Sequence, residues 1–220
     1  MTLQRQHRST ARATVSLCAA WSLTMSSAGC SLGEGEGQVT SQKLIVADCW
    51  QGPFDLAPDF FAAVPYRETL QVRVQHGGDL EEVSDGLFVL VDDISKIQAS
   101  LNTPLAVGEP PGVRPIGVPL TTYDPNPPLV HMTLYLNRAC HAQNPSLYSI
   151  GGSVTLHQIF DGDPNEADAA KRLTDAEFSV TVADPRDLAS DGTVDPSTTS
   201  EIDGYFRFYF QRGQPAQPFP

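Results

Sequence analysis

Asp161-Gly162-Asp163-Pro164-Asn165 sets side-chain oxygens at alternate positions, the spacing with which a loop wraps Ca²⁺. The pattern then departs from a calcium loop. Its sixth position, where a sharp turn calls for glycine, is Glu166, and its twelfth, where a bidentate carboxylate is needed, is Arg172. An acidic turn between strands is the expectation here, and Asp79, Glu81, Glu82 and Asp85 likewise read as a solvated loop. His131 and His157 fall on alternating segments, opposite Met132 and Leu156, while His76 sits in a turn and His141 adjoins Cys140. None has the i, i+4 pairing or Cys-x-x-Cys partner of a zinc site, so surface histidines, exposed or hydrogen-bonded, are expected. The sequence holds no Gly-x-Ser-x-Gly elbow, and Gly151-Gly152-Ser153 reads as a glycine turn. Adjacent strand residues point to opposite faces, so Cys140-His141 is not a catalytic dyad. Gly33-Glu34-Gly35-Glu36-Gly37 lacks the preceding strand and the positive charge of a phosphate-cradling loop. Neither a cofactor, a metal nor a catalytic residue is expected. Tyr205, Arg207 and Tyr209 remain: they share one face of a closing strand, opposite Phe206, Phe208 and Phe210. That face could stack a sugar or a peptide, and ordinary cross-strand pairing accounts for it equally well.

Strands must position these groups. Leu70, Val72 and Val74 alternate with Gln71, Arg73 and Gln75, and the same period of two runs through Val130–Leu136, Phe178–Val182 and Phe206–Phe210. Shorter β-rich runs lie at Lys43–Asp48, Gly86–Val91 and Ser153–Phe160. Turn residues separate them at His76-Gly77-Gly78-Asp79, Gly151-Gly152, Asp161-Gly162-Asp163-Pro164 and Asp191-Gly192. Helices have room only for a turn or two, near Asp93–Ile97 and Pro164–Leu173. The expected fold is all-β: one antiparallel β-sandwich, or a barrel-like relative, of about seven to nine strands with one or two very short helices. Eight of the 18 prolines fall in residues 104–128, which reads as a crossover within that domain. Residues 212–220 read as an extended tail.

The first thirty residues have a different character. Arg5, Arg8 and Arg12 form a positive start, and a moderately apolar stretch from Ala13 to Met25 leads to Ser26-Ser27-Ala28-Gly29-Cys30. The apolar run is shorter than the ~20 residues a bilayer-spanning helix needs. Ser27-Ala28-Gly29-Cys30 resembles the lipobox of bacterial lipoprotein signal peptides. The resemblance implies that residues 1–29 are removed and that Cys30 carries lipid and becomes the first residue. Ordinary secretion with cleavage after Ala28 is the alternative. Ser31 after the cysteine is, by the same resemblance, compatible with sorting to the outer membrane. The Cys49-Trp50-Gln51-Gly52 and Tyr205-Phe206-Arg207-Phe208 runs and the closing segment also resemble a group of myxobacterial lipoproteins, a likeness that supplies no activity.

Three consequences follow. Loss of the leader removes Cys18, and acylation of Cys30 leaves Cys49 and Cys140 to pair in an oxidising compartment, two buried free thiols being the other reading. Residues 30–41, rich in glycine and glutamate, are expected to form a flexible tether to a domain over 42–220. The 14 basic residues lose Arg5, Arg8 and Arg12, leaving 11 against 26 acidic ones, a formal charge of −15. Such a body is repelled by phosphate backbones and anionic headgroups, so nucleic acid is not an expected partner and membrane attachment falls to the lipid. The function expected is that of an exported, membrane-anchored envelope lipoprotein with a structural or ligand-binding role. An extracytoplasmic hydrolase or a carbohydrate-binding module is the alternative.

Overall fold

A computed structural model describes residues 35–77, 80–111, 126–187, 189 and 193–211. The expected leader (1–29), Cys30 and the tail (212–220) lie outside the described residues, as does 112–125 of the proline-rich crossover. The chain divides into two units, 1–30 and 31–220, and the second carries every described element.

Ten strands form one curled sheet, half of a barrel: β1 (Gly35–Val46), β2 (Trp50–Leu56), β3 (Phe60–Tyr66), β4 (Thr69–His76), β5 (Asp85–Val91), β6 (Pro104–Gly108), β7 (Val130–Leu136), β8 (Ser146–Gln158), β9 (Leu173–Ala183) and β10 (Ser200–Tyr209). Their order across the sheet is β2-β1-β10-β9-β8-β6-β7-β5-β4-β3, with β8 also reaching β7. Every pairing is antiparallel except β6 with β7, which the crossover joins as parallel neighbours. The all-β expectation holds in its barrel-like form, with ten strands rather than seven to nine. One α-helix, α1 (Ile94–Gln98), and short 3₁₀ turns complete the described elements.

The curl follows from connectivity. The edge strands β2 and β3 are consecutive in the chain, joined by residues 57–59. A flat ten-stranded sheet would hold its edges ~43 Å apart at ~4.8 Å per strand. A three-residue link reaches at most ~15 Å. The ends must therefore come together, and the Phe61 ring of β3 stacks 5.8 Å from Phe208 of β10. Alternating residues of every long strand, from Val39, Leu44 and Val46 to Ile202, Phe206 and Phe208, fill one apolar core inside the curl. Helix α1 adds Ile94 and Ile97 at one end, its first turn capped by the Asp93 carboxylate, which accepts from the Lys96 amide at 3.0 Å.

Two expectations about glycine are corrected. Residues 35–41, expected in the tether, are the first half of β1, so the segment between Cys30 and the sheet shrinks to residues 31–34. The glycines are there for proximity. A Cβ at Gly35 would lie 2.6 Å from the Phe208 Cβ and 2.8 Å from the Phe61 ring. Gly151-Gly152, expected as a turn, lies inside β8 at a register shift against β9. Gly152 takes φ +104° there and bends a strand that must follow β7 at one end and β6 at the other. The proline-rich crossover is also shorter than expected, because Pro104–Gly108 enters the sheet as β6, proline taking the first position where no ladder amide is lost.

Candidate functional site

The acidic turn uses its oxygens on itself. Asp161 Oδ1 accepts from the Asp163 amide, Asp163 Oδ1 from Asn165, Glu166 Oε1 from Asp168 and Asp168 Oδ1 from Ala170, at 2.8–3.0 Å. The Asp168 amide, with Lys171 nearby, holds the Glu166 carboxyl below its usual range. No group of three His, Cys, Asp or Glu side chains is placed to hold a metal ion among the described residues. The expected helical turn after Pro164 appears only as a 3₁₀ turn at Ala170–Arg172.

Three histidines have polar neighbours, and His141 is exposed. His131 is buried rather than at the surface, its Nδ1 3.2 Å from the Gly108 carbonyl and its Nε2 3.1 Å from Asp92 Oδ2. Both ring nitrogens are committed, and the imidazole ties β6 to β7 and to the end of β5. His157 Nδ1 lies 2.9 Å from Asn102 Oδ1, and His76 Nδ1 lies 3.3 Å from Asp59.

Cys49 and Cys140 form the disulfide, with Cα atoms 5.8 Å apart and a sequence separation of 91. It joins the turn after β1 to the loop after β7, at the end of the sheet opposite α1. Asp85, expected in a solvated acidic loop, is instead buried beside it and accepts from the Arg138 and Ala139 amides at 2.9 and 3.0 Å. A carboxylate beside paired backbone donors fixes the loop that presents Cys140. Glu81 stands next to this network, and burial raises its carboxyl pKa while Arg73 opposes the shift.

An open hollow lies elsewhere, on the outer face of β8, β9, β10 and β1. Strand register lines up Gln38, Tyr205, Glu177 and Thr155 in one row across four strands. The adjacent row is Thr40, Asp203, Ser179 and Ser153. All eight line a hollow of about 530 Å³. Gly204 keeps the strands close beneath it, since a Cβ there would run into the Gln38 carbonyl and meet the Phe178 ring at 2.6 Å. Of the expected surface trio, Tyr205 belongs to this hollow. Arg207 stands in the next row, 3.8 Å from Asp175, and Tyr209 lies beyond it, exposed. The polar residues around Tyr205 escaped sequence reasoning because they come from four separate strands spread from Gln38 to Asp203, and only register makes them neighbours. The single legible signal was Tyr205 itself. Comparison of the chain with protein-family models, curated proteins and solved structures gives no match.

Proposed function

We propose that the chain is an exported lipoprotein, held on an envelope membrane by lipid on Cys30, whose β domain binds a ligand and performs no chemistry on it. The observation that carries this reading is the position of Cys30. It ends a basic-then-apolar leader, and only four residues of sequence separate it from the first strand. The Cys49–Cys140 disulfide agrees, because such bonds persist in oxidising compartments. Among the described residues no helix is long and apolar enough to cross a membrane. The acidic body cannot adhere to anionic headgroups by charge, which leaves attachment to acyl chains. Lipid on Cys30 would use none of the polar side chains on the outer face of β8, β9, β10 and β1, which stay available to a ligand.

Metabolic labelling with a clickable palmitate tests the anchor. The wild-type chain should take up label and sediment with membranes, in the outer-membrane fraction of a density gradient. Cys30→Ala should abolish labelling. Recovery of the native chain with its basic leader intact, or unlabelled in the buffer fraction, would overturn the proposal.

A further inference from the structure

The hollow over β8, β9, β10 and β1 combines features that an ordinary solvated sheet face does not need together. Its volume of about 530 Å³ falls within the ~300–1,000 Å³ typical of small-ligand sites. Two rows of side chains over four strands make an elongated footprint, ~7 Å along the strands and ~14 Å across them. The Tyr205 side chain rises from this floor, 44% exposed. Around it the hydroxyls of Ser153, Thr155 and Ser179 and the carboxylate of Asp203 face a common space, with no hydrogen bond or ion pair to other described residues. Glu177 adds a second carboxylate, 3.8 Å from His157 Nε2, and among the described residues neither lysine nor arginine lines the hollow.

Charge and polarity narrow the occupant. Two carboxylates, with the His157 imidazole beside Glu177 as their only basic neighbour among the described residues, on a chain of net charge −12, repel anions such as phosphate esters or acidic sugars. An apolar ligand would strand the hydroxyls and carboxylates without partners. A ligand rich in hydroxyl groups satisfies both conditions. Its O–H groups donate to Asp203 and Glu177 and exchange hydrogen bonds with the serine and threonine hydroxyls, while the C–H face of a ring lies on Tyr205. We infer that this hollow binds a short neutral oligosaccharide laid across the strands, its length favouring an oligomer over a single ring. The assignment rests on the binding role proposed above and names the ligand class for it.

Calorimetric titration of the native chain with maltotriose, cellotriose and chitotriose tests the inference. At least one should bind saturably, whereas the anionic trigalacturonate should give no binding heat. Tyr205→Ala should weaken the complex about tenfold or more. Ser179→Arg, which fills the hollow from an exposed position, should abolish binding, as should Thr155→Arg on the next strand. Tyr209→Ala, outside the hollow, should leave affinity within about twofold. Thermal melting of each variant separates lost binding from lost folding, and two blocking sites guard against either one misfolding. Absence of binding by all three neutral sugars up to ~10 mM, preferential binding of trigalacturonate, or binding that survives both arginine substitutions would overturn the assignment. The anchor is read independently: failed sugar binding with palmitate still on Cys30 removes the ligand alone, and sugar binding by an unlabelled chain removes the anchor alone.

Discussion

Arg73 and Tyr205 both point away from the core of the same sheet, yet Arg73 is 2% exposed and Tyr205 44%. Their surroundings differ in kind. On the outer face of β4, β5 and β7, Gln75, Tyr135 and His131 are buried as well; His131 is held by Gly108 and Asp92, and the other two are tied into a chain. Tyr135 Oη donates to Gln75 Oε1 at 2.6 Å, Gln75 Nε2 to Ser84 Oγ at 3.3 Å, and Ser84 Oγ to the Leu80 carbonyl at 2.8 Å. The Arg73 guanidinium lies 4.9 Å from the centre of the Phe60 ring. On the outer face of β8, β9, β10 and β1 the side chains are shorter, stand in water and leave a hollow. Buried polar groups must be satisfied by the fold itself, so the first face is committed to stability. The second keeps its donors and acceptors for a ligand. Alternation in a sequence decides which side of a sheet a residue takes; it does not decide whether that side meets solvent.

Four measurements would break or sharpen this contrast. The largest effect belongs to the bond that ties the open half to the covered half. Replacing both Cys49 and Cys140 by serine should lower the unfolding free energy by about 4–5 kcal/mol in the chain-entropy account of a loop this long, read by urea denaturation. A loss below ~1 kcal/mol would mean that the unfolded chain keeps the halves together without the bond. Next comes Gly35→Ala. Forcing a methyl against Phe208 and Phe61 should cost about 1–3 kcal/mol. A neutral outcome would return the start of β1 to the tether.

Tyr135→Phe should cost about 1–2 kcal/mol by removing the donor to a buried acceptor, while Tyr209→Phe on the open face should change stability by less than ~0.5 kcal/mol. The pair also separates by pH. Burial pushes the Tyr135 hydroxyl well above its ordinary value, with Glu81 adding to the shift and Arg73 opposing it. The unfolded chain then releases this proton first, from about pH 10, while the folded chain keeps it. The contribution is complete below pH 10, and stability falls by up to ~1.4 kcal/mol per pH unit above it. Tyr135→Phe should flatten that part of the profile, and an unchanged slope would show the hydroxyl to be hydrated in the fold. The smallest effect is expected at Arg207. Its ion pair with Asp175 is part-exposed, so Arg207→Ala should cost under ~0.5 kcal/mol by thermal melting.

Much of the architecture was legible beforehand, and the misses have a common cause. Strands β4, β7, β9 and β10 alternate cleanly because one face packs the core and the other is polar. Strands β2 and β3 do not. Gly52, Pro53 and Pro65 interrupt them, and they sit at the two sheet edges, where proline costs no central ladder bond. Phe60 and Phe61 are both buried, on opposite faces, which erases the period. Strand β6 is only five residues long and begins with proline. As for the candidate site, Tyr205 could be placed on an outward face from the sequence, but its companions could not, because nothing local records which strand lies beside β10.

The amino-acid sequence on its own determined the strand-built class of the domain, through residue-by-residue alternation. It also pointed to Cys49 and Cys140 as a pair, and the structure contains that disulfide. Tertiary structure alone decided that the glycines of β1 serve close packing, that the outer face behind Arg73 is buried, and that eight polar and aromatic residues converge in one hollow. Alternation and count are local properties of a chain, whereas register, curl and burial arise only when segments distant in sequence compete for the same space.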